Sequence, residues 1–170
     1  MATKIDPHGF GFLVTGLSRL VRAEFDRRIG DAGLGLTPGE ARALVHAARS
    51  GLVRQTVIAE GMGIEAMTLT AYLDRLEARG LVTREPDPAD RRAKLVQLTE
   101  AADAVLAEIK SIADGVRRTA AGSMPAAEWN QFLATLKAVH QNLAEARSEP
   151  TRENEETAAC TCNPGSRRPP

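Results

Sequence analysis

The sequence predicts a mostly helical α+β fold in which two helices joined by a tight turn are followed by a small β hairpin. Three observations predict it. Leu69, Leu73 and Leu76 recur at i, i+4 and i+7, the buried stripe of a helix, and Gly80 stands where that helix stops. Upstream, Gln55 to Glu60 reads as a short helix with Val57, Ile58 and Ala59 facing inward, and Gly61-Met62-Gly63-Ile64 is the turn joining the two. Downstream, Leu81 to Glu85 and Ala93 to Leu98 read as short strands. Between them Pro86-Asp87-Pro88-Ala89-Asp90-Arg91-Arg92 is a polar loop that proline keeps out of any helix. Short helix, turn, longer helix and charged hairpin make a winged helix-turn-helix.

The remaining elements follow in order. Residues 1–7 are expected to be loose. Phe10 to about Gly30 forms a helix with Phe12, Leu13, Leu17, Leu20, Val21 and Phe25 on its apolar side. Thr37 caps the next helix, with Pro38 at its first position and Glu40 at its third, the spacing of a capping box. Ala41, Leu44, Val45 and Ala48 are its expected buried stripe, and Ser50-Gly51 ends it. Thr99 is expected to cap a long helix from about Glu100 to Ala121. After the break at Gly122-Ser123-Met124-Pro125, a last helix runs from about Ala126 to Arg147. Residues 148–170 are too polar to bury a core and are expected to be disordered. The chain therefore divides into a winged helix-turn-helix domain at 36–98 and a helical region at 1–35 and 99–147. The three long amphipathic helices carry more apolar face than one small winged domain can cover, so the helical region is expected to join two copies.

Bulk properties narrow the function. Lysines plus arginines and aspartates plus glutamates number 22 each, so the total charge does not advertise nucleic acid. The distribution does: Arg75, Arg79, Arg84, Arg91, Arg92 and Lys94 gather around the helix and hairpin, diluted by Glu77, Glu85, Asp87 and Asp90. No apolar run approaches a membrane span and no signal-peptide pattern opens the chain, which leads to the expectation of a cytoplasmic protein without a membrane partner. No glycine-rich phosphate loop, nucleophile elbow or HExxH motif is present, and His8, His46 and His140 are far apart, so neither an enzyme, a metal site nor a cofactor is expected. The two cysteines, Cys160 and Cys162, lie in the tail.

These residues carry a family resemblance. Leu36-Thr37-Pro38, Ile58-Ala59 with Gly63-Ile64, Leu73 to Val82, and above all Asp87-Pro88-Ala89-Asp90-Arg91-Arg92-Ala93-Lys94 running into Leu98-Thr99-Glu100 resemble MarR-type transcriptional regulators, near their SlyA-like branch. The similarity extends over about residues 10–147. It implies a homodimer that binds a pseudo-palindromic DNA duplex as a repressor and is released by a small ligand. The family dimerises through the first helix and the last two.

The candidate contacts follow from groove chemistry. A reading helix meets base edges with its N-terminal residues. Here Met67, Thr68, Thr70 and Ala71 face away from the leucine stripe, with Arg75 one turn later. The relatives commonly carry arginine where Ala71 stands, so their operator sequence does not transfer. In the hairpin, Arg92 is the candidate for the minor groove, Asp90 would orient its guanidinium, and Arg91 and Lys94 would meet phosphates. The stretch Leu17 to Arg22 resembles one in SlyA-like regulators that holds a carboxylate such as salicylate. That resemblance makes Arg19 and Arg22 candidates for an aromatic acid, with His46 a further lining residue. The alternatives are a winged-helix regulator controlled by cysteine oxidation or a protein partner, and, in another class, a protein-interaction module that does not touch DNA.

Overall fold

The computed structural model describes residue 6 and residues 8–148 of the chain. The tail from residue 149, with Cys160 and Cys162, lies outside the described residues, as does the start of the chain apart from Asp6. The described elements are α1 (Phe10–Asp31), α2 (Pro38–Ser50), β1 (Val53–Arg54), α3 (Gln55–Met62), α4 (Ala66–Ala78), β2 (Val82–Asp87), β3 (Asp90–Leu98), α5 (Ala102–Ala121) and α6 (Ala126–Ser148). The chain up to Gly122 forms one unit, and α6 belongs to a second. The fold is mostly helical with a small antiparallel sheet, the class expected from the sequence.

Helix α2 begins as its spacing predicts. The Thr37 hydroxyl accepts the Glu40 N–H at 3.3 Å, and the Glu40 carboxylate accepts the Thr37 N–H at 2.8 Å. The pair satisfies two amides that a helix start leaves open. Its buried face differs from the expected stripe. Ala41, Ala43, Leu44 and Ala47 are buried, while Ala48 is exposed and Val45 only half-buried. Small alanines on two adjacent rows let neighbouring helices pack against both.

Helices α3 and α4 form the helix-turn-helix. Gly63, at φ +64°, closes α3 in the left-handed region that glycine enters without penalty. Ile58 and Ala59 are buried as expected, but Val57 is 50% exposed. On α4, Leu69, Leu73 and Leu76 are almost wholly buried and join one core with residues of α1, α2, α3, α5 and the sheet. Each such side chain contributes roughly 1.5–3 kcal/mol of hydrophobic stabilisation. Ile29 of α1 and Ile109 of α5 complete this core. Arg28 of α1 also donates to the Thr119 hydroxyl on α5 at 2.6 Å.

The sheet is larger than the sequence suggests. Its order is β1-β3-β2, all antiparallel, and the two-residue β1 pairs Val53 with Val96 and Arg54 with Leu95. A strand of two residues has no period to read, so nothing local announced it. The expected loop from Pro86 to Arg92 shrinks to the turn at Pro88 and Ala89, because the strands continue through Asp87 and from Asp90. Pro86 is tolerated there because β2 is an edge strand, where a missing N–H costs no ladder bond.

Thr99 does not cap α5. That helix starts at Ala102 with no side-chain cap, and the Thr99 hydroxyl donates to the Gly80 carbonyl at 2.5 Å. The Thr99 N–H donates to the Leu81 carbonyl at 3.1 Å. A nearer acceptor across the hairpin base captures the hydroxyl and ties the end of the wing to the end of α4.

The apolar side of α1 behaves differently from its sequence stripe. Phe12, Leu13, Leu17, Leu20 and Val21 are all 40–61% exposed. Only Phe25 is half-buried, and Ile29 is covered. On α6, Trp129 lies against Phe132 with ring centres 5.5 Å apart, while Phe132, Leu133, Leu136 and Leu143 remain exposed.

Candidate nucleic-acid interface

Helix α4 is held by its leucine face, which fixes what it can present on the other side. Ala66, Met67, Thr68 and Ala71 are exposed there, and Met67 is 86% exposed. Thr70 is half-buried, and its hydroxyl donates to the Ala66 carbonyl at 2.9 Å. The C-terminal half of α4 is anchored by its own cations. Arg75 donates through Nε to the Glu40 carboxylate, and its guanidinium carbon lies 5.6 Å from the centre of the Tyr72 ring. Arg79 donates to the carbonyls of Leu34, at 3.1 Å, and Gly35.

Glu40 thus serves two helices. It is only 3% exposed. Burial alone would raise its pKa, but the Thr37 N–H and the Arg75 guanidinium outweigh burial and hold the carboxyl below its ordinary value. The Thr-x-x-Glu spacing pointed to the cap; nothing in it pointed to Arg75, 35 residues away. Gly39 beside it lies against the outer edge of the Tyr72 ring, so a Cβ there would have to displace that ring.

In the wing, the charges divide into tied and untied groups. Arg84 is 11% exposed and pairs with Asp74, at 2.7 Å, and with Glu77. It therefore braces the wing against α4 instead of facing outward. Asp87 is buried at the hairpin turn. One of its oxygens accepts the Ala89 N–H at 2.8 Å, and the other accepts Arg54 Nε at 2.6 Å. The Ala89 amide, helped by the Arg54 charge and against the effect of burial, holds the Asp87 carboxyl below the ordinary carboxylate range. Asp87→Ala should therefore loosen the tip, with faster amide exchange at residues 87 and 89–92 and little change at Leu73 or Leu76. Slow exchange at Ala89 in the variant would contradict this role for the carboxylate.

Asp90 accepts the backbone N–H of Arg92 at 3.0 Å; the expected bond from its carboxylate to the Arg92 guanidinium is not what the structure shows. The short turn brings the backbone amide within reach first. Arg92 and Lys94 are exposed and make no ion pair among the described residues. They stand on one wall of a cleft of about 320 Å³, with Leu69 and Thr70 of α4 on another and Arg54 and Gln55 at the β1–α3 junction. The Gln55 Oε1 is buried without a hydrogen-bond partner among the described residues. Sequence reading missed Arg54 and Gln55, because a two-residue strand brings them to this position.

The candidate ligand residues are elsewhere. Arg19 and Arg22 are exposed on α1, and neither lines this cleft. His46 is half-buried on α2, packed against Gly61 of α3, where a Cβ would stand 3.0 Å from its Nδ1. Burial, with the charges of Arg49 and Arg42, lowers its pKa. Among the described residues, no group of three His, Cys, Asp or Glu side chains could hold a metal ion, and no helix is long and apolar enough to cross a membrane.

Comparison with known proteins decides the family. A family model described as MarR family matches residues 34–93, from the start of α2 into the wing. The solved structure of transcriptional regulator PA3341 is 36% identical, covers 81% of this chain and 99% of its own, and superposes with a TM-score of 0.67. The chain belongs to the MarR family. It is a DNA-binding transcriptional regulator and not an enzyme. A MarR-family regulator from Rhodococcus sp. RHA1 is 28% identical, with 76% of this chain and 90% of that one covered and a TM-score of 0.66. BpsR from Bordetella bronchiseptica, whose DNA binding is regulated by 6-hydroxynicotinic acid, is 24% identical, covers 82% of this chain and 98% of its own, and has a TM-score of 0.64. At that identity the likeness is one of fold. In MarR terms, α4 is the recognition helix and β2–β3 is the wing.

Proposed function

We propose that this MarR protein acts as a homodimeric repressor, of the SlyA-like branch, that occupies a pseudo-palindromic operator and leaves it when a small aromatic carboxylate binds. The observation that carries the DNA reading is the exposed pair Arg92 and Lys94 on the wing, without an ion pair among the described residues, beside a recognition helix whose N-terminal half faces outward. Arg92 enters the minor groove, Arg91 and Lys94 meet phosphates, and Met67, Thr68, Thr70 and Ala71 lie in the major groove. Arg75 keeps its Nε on Glu40 and is 54% exposed, which leaves its terminal N–H groups for a phosphate. Asp90 supports the reading by fixing the Arg92 backbone.

The helical region, 1–35 with 99–147, joins the two copies. The exposed phenylalanines and leucines of α1 support this, as do those of α6, each helix offering a face that its own unit leaves uncovered. Residues 36–98 then form the DNA-binding domain. The ligand reading is supported by Arg19 and Arg22, exposed on one face of α1, and by the half-buried His46, whose pKa burial lowers. BpsR, with its pyridine carboxylic acid, makes the ligand class a reasonable one to try. Repression follows from occlusion of polymerase, and release from a changed spacing of the two reading heads.

The test is a gel shift of the full chain on fragments from the region upstream of its own coding sequence, against random competitor. A preferred fragment, released by millimolar salicylate or 6-hydroxynicotinate in the native protein but not in Arg22→Ala, is the expected result. No preferred fragment removes the DNA reading. Release that never occurs, or that is unchanged in Arg22→Ala, removes the ligand reading alone.

A further inference from the structure

The guanidiniums of α4 and of its C-cap are each bonded within the protein itself. Arg75 is bound to Glu40 and lies by Tyr72, and Arg79 is bound to the carbonyls of Leu34 and Gly35. The nearest wing guanidinium, Arg84, is enclosed between Asp74 and Glu77. The one hydroxyl of Thr70 is spent on the Ala66 carbonyl. Helix α4 contains no lysine, asparagine or glutamine. What its leading half presents is Met67, Thr68 and Ala71, and Met67 and Ala71 share a face at i and i+4.

Each base has its own reader in the major groove. Guanine is read by the fork of arginine or by lysine, and adenine by asparagine or glutamine. Thymine is read through apolar contact with its C5 methyl. On the reading that α4 enters the major groove, the first two kinds of reader are missing or committed, and the third is present in a side chain 86% exposed to water. We infer that Met67 and Ala71 make this helix a reader of thymine methyl groups. Each half-site then presents A·T pairs with thymine toward α4, and guanine is not selected there. The Thr68 methyl adds to the same surface, and its hydroxyl is available for a neighbouring base or phosphate.

The experiment is selection of duplexes from a random pool by the full-length protein, followed by single replacements in the best duplex. Deoxyuridine in place of thymine removes the C5 methyl and nothing else. It should weaken binding roughly fourfold at one or two positions of each half-site, the factor expected for one buried methyl. Met67→Ala should abolish the penalty at one of those positions, with melting temperature unchanged because the side chain is exposed. Ala71→Arg should move the selected base at its position toward guanine. Full tolerance of deoxyuridine, a tenfold loss on replacing guanine by 7-deazaguanine under the helix, or a deoxyuridine penalty that survives Met67→Ala overturns the inference while leaving DNA binding intact. A pool that yields no enriched duplex overturns the major-groove reading itself, and this inference with it.

Discussion

Arg92→Ala is expected to weaken operator binding by roughly a hundredfold or more while the protein stays folded. The side chain is exposed, makes no ion pair among the described residues, and stands on the hairpin beside the cleft that faces the recognition helix. A hydrogen bond involving a charged group contributes roughly 1.5–3 kcal/mol, or about ten- to a hundredfold for each wing. A dimer loses that contribution twice. The slope of affinity against salt should also fall, by roughly one released counterion per wing. Because the Arg92 guanidinium makes no ion pair or hydrogen bond among the described residues, the melting temperature should not move. Lys94→Ala should show the same salt signature with a smaller loss. Unchanged affinity in Arg92→Ala, measured by fluorescence anisotropy at fixed salt, would contradict the role given to the wing.

The largest expected effect on stability belongs to Glu40→Ala. The substitution removes the capping box of α2, a loss of about 1 kcal/mol, and leaves the Arg75 guanidinium without its partner. Loss of a fully buried pair costs roughly 3–5 kcal/mol, but Arg75 is 54% exposed and water screens it, so the second contribution is roughly 1–2 kcal/mol. A total of about 2–3 kcal/mol should lower the melting temperature by roughly 5–10 °C. Glu40→Gln can keep the Thr37 contact and should lose less. The pH dependence has a definite sign. The folded pKa lies below the ordinary 4.5, so the stabilisation is fully present above that pH and is lost as pH falls through the folded value. In Glu40→Ala the loss of stability with acid below pH 4.5 should be correspondingly shallower. DNA affinity should fall as well, since the Arg75–Glu40 pair adds to the leucine face in fixing the recognition helix against α2. A variant that melts like the native protein would mean that the cap and the ion pair do not restrain these helices.

The sequence carried those parts of the fold that depend on near neighbours. The leucines of α4 recur at a helical period, and the cap of α2 needs only Thr37 and Glu40, three residues apart. Both were legible for that reason. The wing motif was legible as composition, but its geometry was not. Pro86 read as the start of a loop, although an edge strand accommodates it, and β1 was too short to carry a pattern. Thr99 looked like a helix cap until the Gly80 carbonyl offered its hydroxyl a different acceptor.

The candidate site divides in the same way. Which residues of α4 face outward followed from its stripe. Which of its charges were already engaged did not, because Arg75 and Arg79 find their partners 35 to 45 residues away. The same is true of Arg54, which secures the hairpin turn through Asp87, 33 residues later. Counting arginines near the reader therefore overstated the cations free to meet DNA. Arg75, Arg79 and Arg84 hold the recognition helix and wing in place, and Arg92 and Lys94 remain exposed without an ion pair among the described residues.

Footprinting the full chain with hydroxyl radicals on its best genomic fragment, together with the mass of the complex by light scattering, tests the central claim most directly. Two protomers on one duplex, with two protected patches centred one helical turn apart, roughly 34 Å, is the predicted result. A single protomer per duplex, or uniform cleavage along the fragment, would contradict it.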